Sequence, residues 1–242
     1  MPSTTRRHCL ALAAGAALPL QARAIDLQRF LPVTGSGRIV TQEPPVGSFG
    51  GVSVADALVV DIEQAQPPGL FLEGDDNLLP LLDLQVQDGV LRVRQRRPLK
   101  PTRLRIVARV WQLDSLAVSG SAVLRGDGLV AKTLQLRGGG SGVVKLQALT
   151  AERVVVQAGG STVLRLAGRA NELALDAGGS ALVDGAALQV RRVEARLGGA
   201  AAAKVWAADR LSGNVAGSAV LRYRGDPQLA LDSSGSGRIR KL

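Results

Sequence analysis

From residue 120 onward, apolar and polar positions alternate in short runs, and a Gly-small pair recurs between them. The pairs are Gly120-Ser121, Gly140-Ser141, Gly160-Ser161, Gly179-Ser180, Gly199-Ala200, Gly217-Ser218 and Gly235-Ser236, at spacings of 20, 20, 19, 20, 18 and 18. Runs such as Thr162–Leu166 and Leu173–Asp176 have period two, which argues for strands rather than helices. A unit of 18–20 residues cannot bury its own apolar face, but stacked copies can. The pattern therefore predicts an all-β fold: a single-stranded right-handed parallel β-helix, or β-solenoid. Rungs about 4.8 Å apart would make the visible stack about 29 Å long. Glycine suits the corners, where the chain turns sharply and needs positive φ.

The alternation also assigns faces. Leu124, Val144, Leu164, Val183, Ala203 and Leu221 point inward after the corner, with Tyr223 and Ile239 continuing the series. A second inward series runs through Leu134/Leu136, Val154/Val156, Leu173/Leu175, Val193/Ala195 and Leu229/Leu231. Two other readings exist. Low-complexity disorder fits the Gly, Ala and Ser content but not the sustained apolar phase. A β-sandwich explains alternating strands but not corners at a nearly fixed interval.

The N-terminal half is less regular. Residues 25–110 are read as an N-terminal β region continuous with the solenoid, and 111–242 as its regular rungs. Gly35-Ser36-Gly37-Arg38-Ile39 foreshadows the repeat and is similar to Gly235-Ser236-Gly237-Arg238-Ile239. Strands are expected at Ala57–Glu63, Leu70–Glu73, Leu84–Val86, Val90–Arg94 and Leu104–Val110. Asp88-Gly89 forms a turn. Pro98 and Pro101 mark the boundary if this region is a separate layer.

The first 24 residues change the picture of where the protein works. Arg6 and Arg7 precede an apolar run, Cys9–Leu20, and Ala22-Arg23-Ala24 fits a small-x-small cleavage site. This reads as a signal peptide, so the mature protein is expected to be exported to the periplasm or the cell surface of a bacterium. Thr5-Arg6-Arg7 also resembles a twin-arginine signal, although His8 and Cys9 follow where bulky apolar residues are usual. Residues 25–242 contain no Cys and no His. Disulfides, thiol nucleophiles, imidazole bases and Cys/His metal sites are thereby excluded from the exported part. Loss of three arginines with the leader lowers the formal charge from +10 to +7. No later apolar run is long enough to span a bilayer as a helix.

Charge singles out one outward column. Five residues after each corner glycine stand Arg125, Lys145, Arg165, Asp184, Lys204, Arg222 and Arg240. If the register holds, Arg125, Lys145, Arg165, Lys204, Arg222 and Arg240 form a basic ladder and a candidate ligand-binding face. Its field would suit an elongated anionic glycan or envelope polymer. The plainer reading is that cations solvate an outward strand face and discourage edge pairing. An intracellular nucleic-acid role conflicts with export, and no aromatic stacking platform accompanies the charges.

Trp111 and Trp206 lie near rung boundaries and are read as corner packing, with an exposed binding aromatic as the alternative. Glu73, Asp75, Asp76 and Asp83 form the densest acidic segment, read as a solvated turn rather than a carboxylate pair or a weak Ca²⁺ site. No cofactor site is expected, and a non-enzymatic role is favoured over polysaccharide catalysis. A passive structural envelope role is the other alternative. The chain ends directly after the last rung, at Ile239-Arg240-Lys241-Leu242. That leaves an open edge to be shielded by the N-terminal region, by terminal charges, or by another copy in a homo-oligomer.

Gly74-Asp75-Asp76-Asn77-Leu78, Val86–Val93 with its Asp88-Gly89 turn, the repeated Gly-Ser corners, Tyr223–Pro227 and the closing Ser234–Ile239 follow one another in a distinctive order. Taken in that order, they resemble the head GIN domain family, described as putative auto-transporter adhesins. The resemblance covers roughly residues 50–242. It implies a right-handed β-helical fold in exported bacterial proteins and brings no catalytic residues. Gly199-Ala200-Ala201-Ala202-Ala203 departs from the pattern, because alanines replace Ser-Gly there.

Overall fold

The computed structural model describes residues 31–242. The expected signal segment, with Cys9 and His8, lies outside the described residues. The remainder is a parallel β-solenoid of about six turns. Each regular rung has three sides. In β13 (Val143–Ala158) the sides are 143–147, 149–151 and 153–158. Val144, Leu146, Leu149, Val154 and Val156 from these three sides are all buried in one core. We call the sides face 1, face 2 and face 3.

Face 1 stacks β4 (Val59–Gln64), β11 (Val123–Asp127) and the first parts of β13, β14 (Val163–Ala177), β15 (Leu182–Leu197) and β16 (Ala202–Val215). It ends with β17 (Val220–Arg224) and β19 (Arg238–Lys241). Face 3 stacks β3 (Gly51–Val54), β10 (Ser115–Val118), the end of β12 (Val130–Gly138), the later parts of β13 to β16, and β18 (Gln228–Ser233). All these pairings are parallel. The β-sandwich and disorder readings are thereby set aside.

The corner between faces 3 and 1 shows why glycine recurs. Gly120, Gly140 and Gly160 have φ values of 63°, 65° and 63°. A Cβ on Gly160 would lie 2.7 Å from the Gly140 carbonyl oxygen. The next residue uses that carbonyl: the Ser161 N–H donates to Gly140 at 2.8 Å, and Ser141 donates likewise to Gly120 at 2.7 Å. Positive φ and close rung-to-rung approach thus both require the missing side chain. At the first rung the corner is Asp56, with φ 65°, whose carbonyl accepts the Ser121 N–H at 2.7 Å. This corner carries no glycine and so escapes a search for Gly-Ser pairs.

The N-terminal region supplies both a rung and a cap. β3 and β4 form the first rung against β10 and β11. On their other side lie β7 (Val90–Gln95) and β9 (Leu104–Val110), again parallel. Beyond them the direction reverses. β6 (Leu82–Gln87) pairs antiparallel with β7 through the Asp88-Gly89 turn, and β5 (Gly69–Asp75) pairs antiparallel with β9. β2 (Ile39–Gln42) then pairs antiparallel with β5. The 35–39 segment is therefore not a rung, despite its similarity to 235–239. β8 (Leu99–Lys100), between Pro98 and Pro101, pairs with β1 (Val33–Thr34).

These strands close the N-terminal end, so the N-terminal region does not shield the C-terminal edge. There, among the described residues, β18 and β19 each have a strand on one side only. Leu229, expected inside, is 52 % exposed, with no rung stacked on it among the described residues. Tyr223, Leu231 and Ile239 are half-buried against the core. The inward residues of the regular rungs, from Leu124 to Leu221, are buried as the alternation predicts.

Candidate functional site

The strand register aligns the basic column. Arg125 pairs with Lys145, Lys145 with Arg165, Arg165 with Asp184, Asp184 with Lys204, Lys204 with Arg222, and Arg222 with Arg240. All seven residues lie on face 1 with outward side chains, because their neighbours at 124, 144, 164, 183, 203 and 221 fill the core. Lys204 meets Asp184 at 3.5 Å. Among the described residues, Arg125, Lys145, Arg165, Arg222 and Arg240 make no ion pair. At the N-terminal end the column passes into acid. Asp61 pairs with Arg125, and Glu63 and Asp127 line the same shallow groove of about 350 Å³.

A second column runs beside the first, two residues earlier on each strand: Val59, Val123, Val143, Val163, Leu182, Ala202 and Val220. These side chains also face outward. Leu182 is 38 % exposed and Val59 37 %, whereas the inward residues beside them are sealed. Two residues along a strand span roughly 6–7 Å. Face 1 thus presents an aliphatic strip adjoining a cationic strip. Sequence reading identified the cations and passed over the aliphatic column, although its alternation phase was visible.

Face 3 handles charge differently. Arg153 and Arg192 both bond Glu172, at 3.0 and 2.6 Å. The hydrogen bond from Arg192 holds the Glu172 carboxyl below the ordinary glutamate range, against a smaller opposing effect of burial, with the charges of Arg192 and Arg153 adding to the lowering. Arg196 pairs with Glu194. Across three rungs here an acid stands between two bases and bonds both, although the next residue in the column, Arg210, is again a base.

The acidic segment at 73–83 has a structural task. Asp75 is buried, not solvated as expected. Its carboxylate accepts the backbone N–H groups of Gly37 at 2.8 Å and Thr102 at 2.8 Å, with Arg103 further off at 3.4 Å. Burial pushes this carboxyl up, and the backbone hydrogen bonds outweigh it, leaving the pKa lowered. Asp76 bonds Ser36 Oγ at 2.5 Å and Arg38 at 2.8 Å. The segment clamps the first strands of the cap onto the body. Among the described residues, no cluster of His, Cys, Asp and Glu suited to a metal occurs.

The tryptophans separate. Trp206 is half-buried, with the Arg224 guanidinium 4.5 Å from its ring centre. Trp111, expected to pack, is 57 % exposed. It sits where the chain leaves β9 for β10, at the end of the cap, and among the described residues no rung covers it.

Residues 48–227 match the family model described as "Putative auto-transporter adhesin, head GIN domain". No curated protein matches the chain. The structure is similar to a putative adhesin from Bacteroides fragilis NCTC 9343, with TM-score 0.78 and 22% identity over 87% of this chain and 100% of that one. It is also similar to a putative lipid binding protein from Parabacteroides distasonis ATCC 8503, with TM-score 0.72 and 20% identity over 88% and 100%. A putative adhesin from Parabacteroides merdae ATCC 43184 gives TM-score 0.70 and 19% identity over 87% and 98%. At such identities the likeness carries the fold alone. The family match runs from just before the first rung, through the shared corners, to Pro227, and on that extent the protein belongs to the head GIN domain family of putative auto-transporter adhesins.

Proposed function

We propose that the protein is an exported, non-enzymatic adhesion or interaction module of the cell envelope, and that face 1 grips an extended anionic envelope polymer such as an acidic glycan. One observation carries the reading: the basic ladder keeps one register from Arg125 to Arg240, broken once by Asp184, and five of its six cations have no acid in bonding range among the described residues. Like charges at rung spacing repel one another, and a polyanion lying along the axis relieves that repulsion. Family membership suggests an exported or surface protein, in keeping with the leader-like residues 1–24. Among the described residues, no helix is long and apolar enough to cross a membrane.

The aliphatic column favours a second reading of the same face, in which the partner is an anionic amphiphile with an apolar strip. One neighbour in fold is named a putative lipid binding protein, in keeping with this variant.

Retention on immobilised acidic glycan tests the first reading. Arg165→Glu with Arg222→Glu should weaken retention at least tenfold at low salt, with unchanged circular dichroism. Arg137→Glu with Arg196→Glu changes net charge equally on face 3 and should weaken retention only about two- to threefold through the general field. Equal losses in the two pairs would reject a defined site on face 1.

A further inference from the structure

We propose that the cleft around Trp111 is a second binding site, for a neutral saccharide, distinct from the basic ladder. The cleft holds about 930 Å³ at the N-terminal end of face 3. That volume lies in the ordinary range for small-ligand sites. Four separate segments build it: 48–51, 66–68, 88–90 and 111–115. Trp111 is the one aromatic among the large hydrophobic side chains left exposed in the described residues. A chain with only six Phe, Trp and Tyr residues thus leaves one of its two tryptophans unburied, beside a cavity.

Backbone hydrogen bonds fix the cleft walls to one another. Gly50 and Gly51 both donate to the Gly89 carbonyl, at 3.0 and 3.1 Å. Asp114 N–H donates to Gly50 at 2.8 Å, and Ala65 N–H donates to Val110 at 3.1 Å. The floor is low because Gly50 and Gly51 have no side chains. A Cβ on Gly51 would meet Ser115 Oγ at 2.5 Å, and one on Gly50 would strike the Asp114 carboxylate. The backbone of such a site is organised before its ligand arrives, so the ordering left to binding is that of the lining side chains.

The chemistry of the lining selects the ligand. Ser48, Gln66, Asp88, Gln112, Asp114 and Ser115 line the cleft, and none of their side chains makes a hydrogen bond among the described residues. Their amides, hydroxyls and carboxylates offer both donors and acceptors. A pyranose ring complements this set, since it has an apolar C–H face for the indole and a rim of hydroxyls for the polar groups. Charge narrows the class. Two aspartates line the cleft and no Lys or Arg does, so an anionic sugar is repelled here while face 1 attracts it.

Fluorescence can read the site because the protein has two tryptophans. In a Trp206→Phe background, Trp111 is the remaining reporter. Titration with maltotriose, cellotriose and N-acetylated chitotriose should give a saturable change in emission with at least one of them. Calorimetry with that sugar should show binding weakened at least tenfold by Trp111→Ala and about threefold by Gln112→Ala, with unchanged circular dichroism. Arg165→Glu with Arg222→Glu should leave the affinity unchanged. The proposal fails if none of the three sugars gives a saturable response, or if Trp111→Ala binds as tightly as the parent. It fails equally if a heparin oligosaccharide or a proline-rich peptide binds this cleft and the neutral sugars do not.

Discussion

Face 1 and face 3 are laid out on the same rungs, and they differ in how charge is placed on the ladder. On face 3, Glu172 lies between Arg153 and Arg192 and bonds both. On face 1 the corresponding succession is Lys145, Arg165, Asp184, Lys204, Arg222, with one acid among four bases and one ion pair. Rung spacing by itself imposes neither arrangement, because both occur on it. A parallel solenoid stacks equivalent positions directly, so a repeated residue becomes a column whether or not its charges agree. Alternating signs stabilise such a column internally, whereas a single sign leaves a field that another molecule can answer.

The comparison can be broken at its common foundation. Gly160→Val places a β-branched residue at φ 63° and drives a side chain into the Gly140 carbonyl. A loss of about 2–3 kcal/mol in urea unfolding is expected, since both faces depend on this corner. An unchanged midpoint would mean that the register is not set there.

Next in size is the acid that interrupts the ladder. Asp184→Asn frees Lys204 and removes the one negative charge from the run between Arg125 and Arg240. Retention on acidic glycan should tighten roughly two- to threefold, while stability moves by no more than about 0.5 kcal/mol. Weaker retention would show that Asp184 is part of the binding surface rather than an interruption of it.

The smallest effect belongs to face 3. Its Arg partners depress the Glu172 pKa in the folded state. The stability this contributes is present above the unfolded glutamate value, about 4.3, and is lost as pH falls through the lower folded value. Glu172→Gln removes that titration, so the urea midpoint should fall less steeply than the parent's below about pH 4.5. Parallel curves would show that the network adds nothing.

Much of the scaffold was legible because its signals are local and repeated. Gly140-Ser141 and Gly160-Ser161 announce a corner, and the phase of Val144, Leu146 and Leu164 announces an inside. The same register that buries Leu164 turns Arg165 outward, so the ladder could be indexed without a structure. The N-terminal cap was less legible. Gly35–Ile39 has the letters of a rung, yet Ile39 pairs antiparallel with Asp75. Asp56 makes a corner without glycine, held by a positive φ that its residue type does not announce. Asp75 reads as a turn residue until the Gly37, Thr102 and Arg103 N–H groups converge on it. These contacts join segments tens of residues apart, where no repeat signals the partner.

The amino-acid sequence by itself determined a coil of stacked strands and which side chains its regular turns show to solvent, since alternation and spacing act over a few residues at a time. The fold in three dimensions decided how the coil is closed at its N-terminal end by strands that reverse direction. It also decided that Trp111 stands beside a cleft rather than in the core. Those outcomes depend on which distant backbone groups find one another, and a chain records that only when it folds.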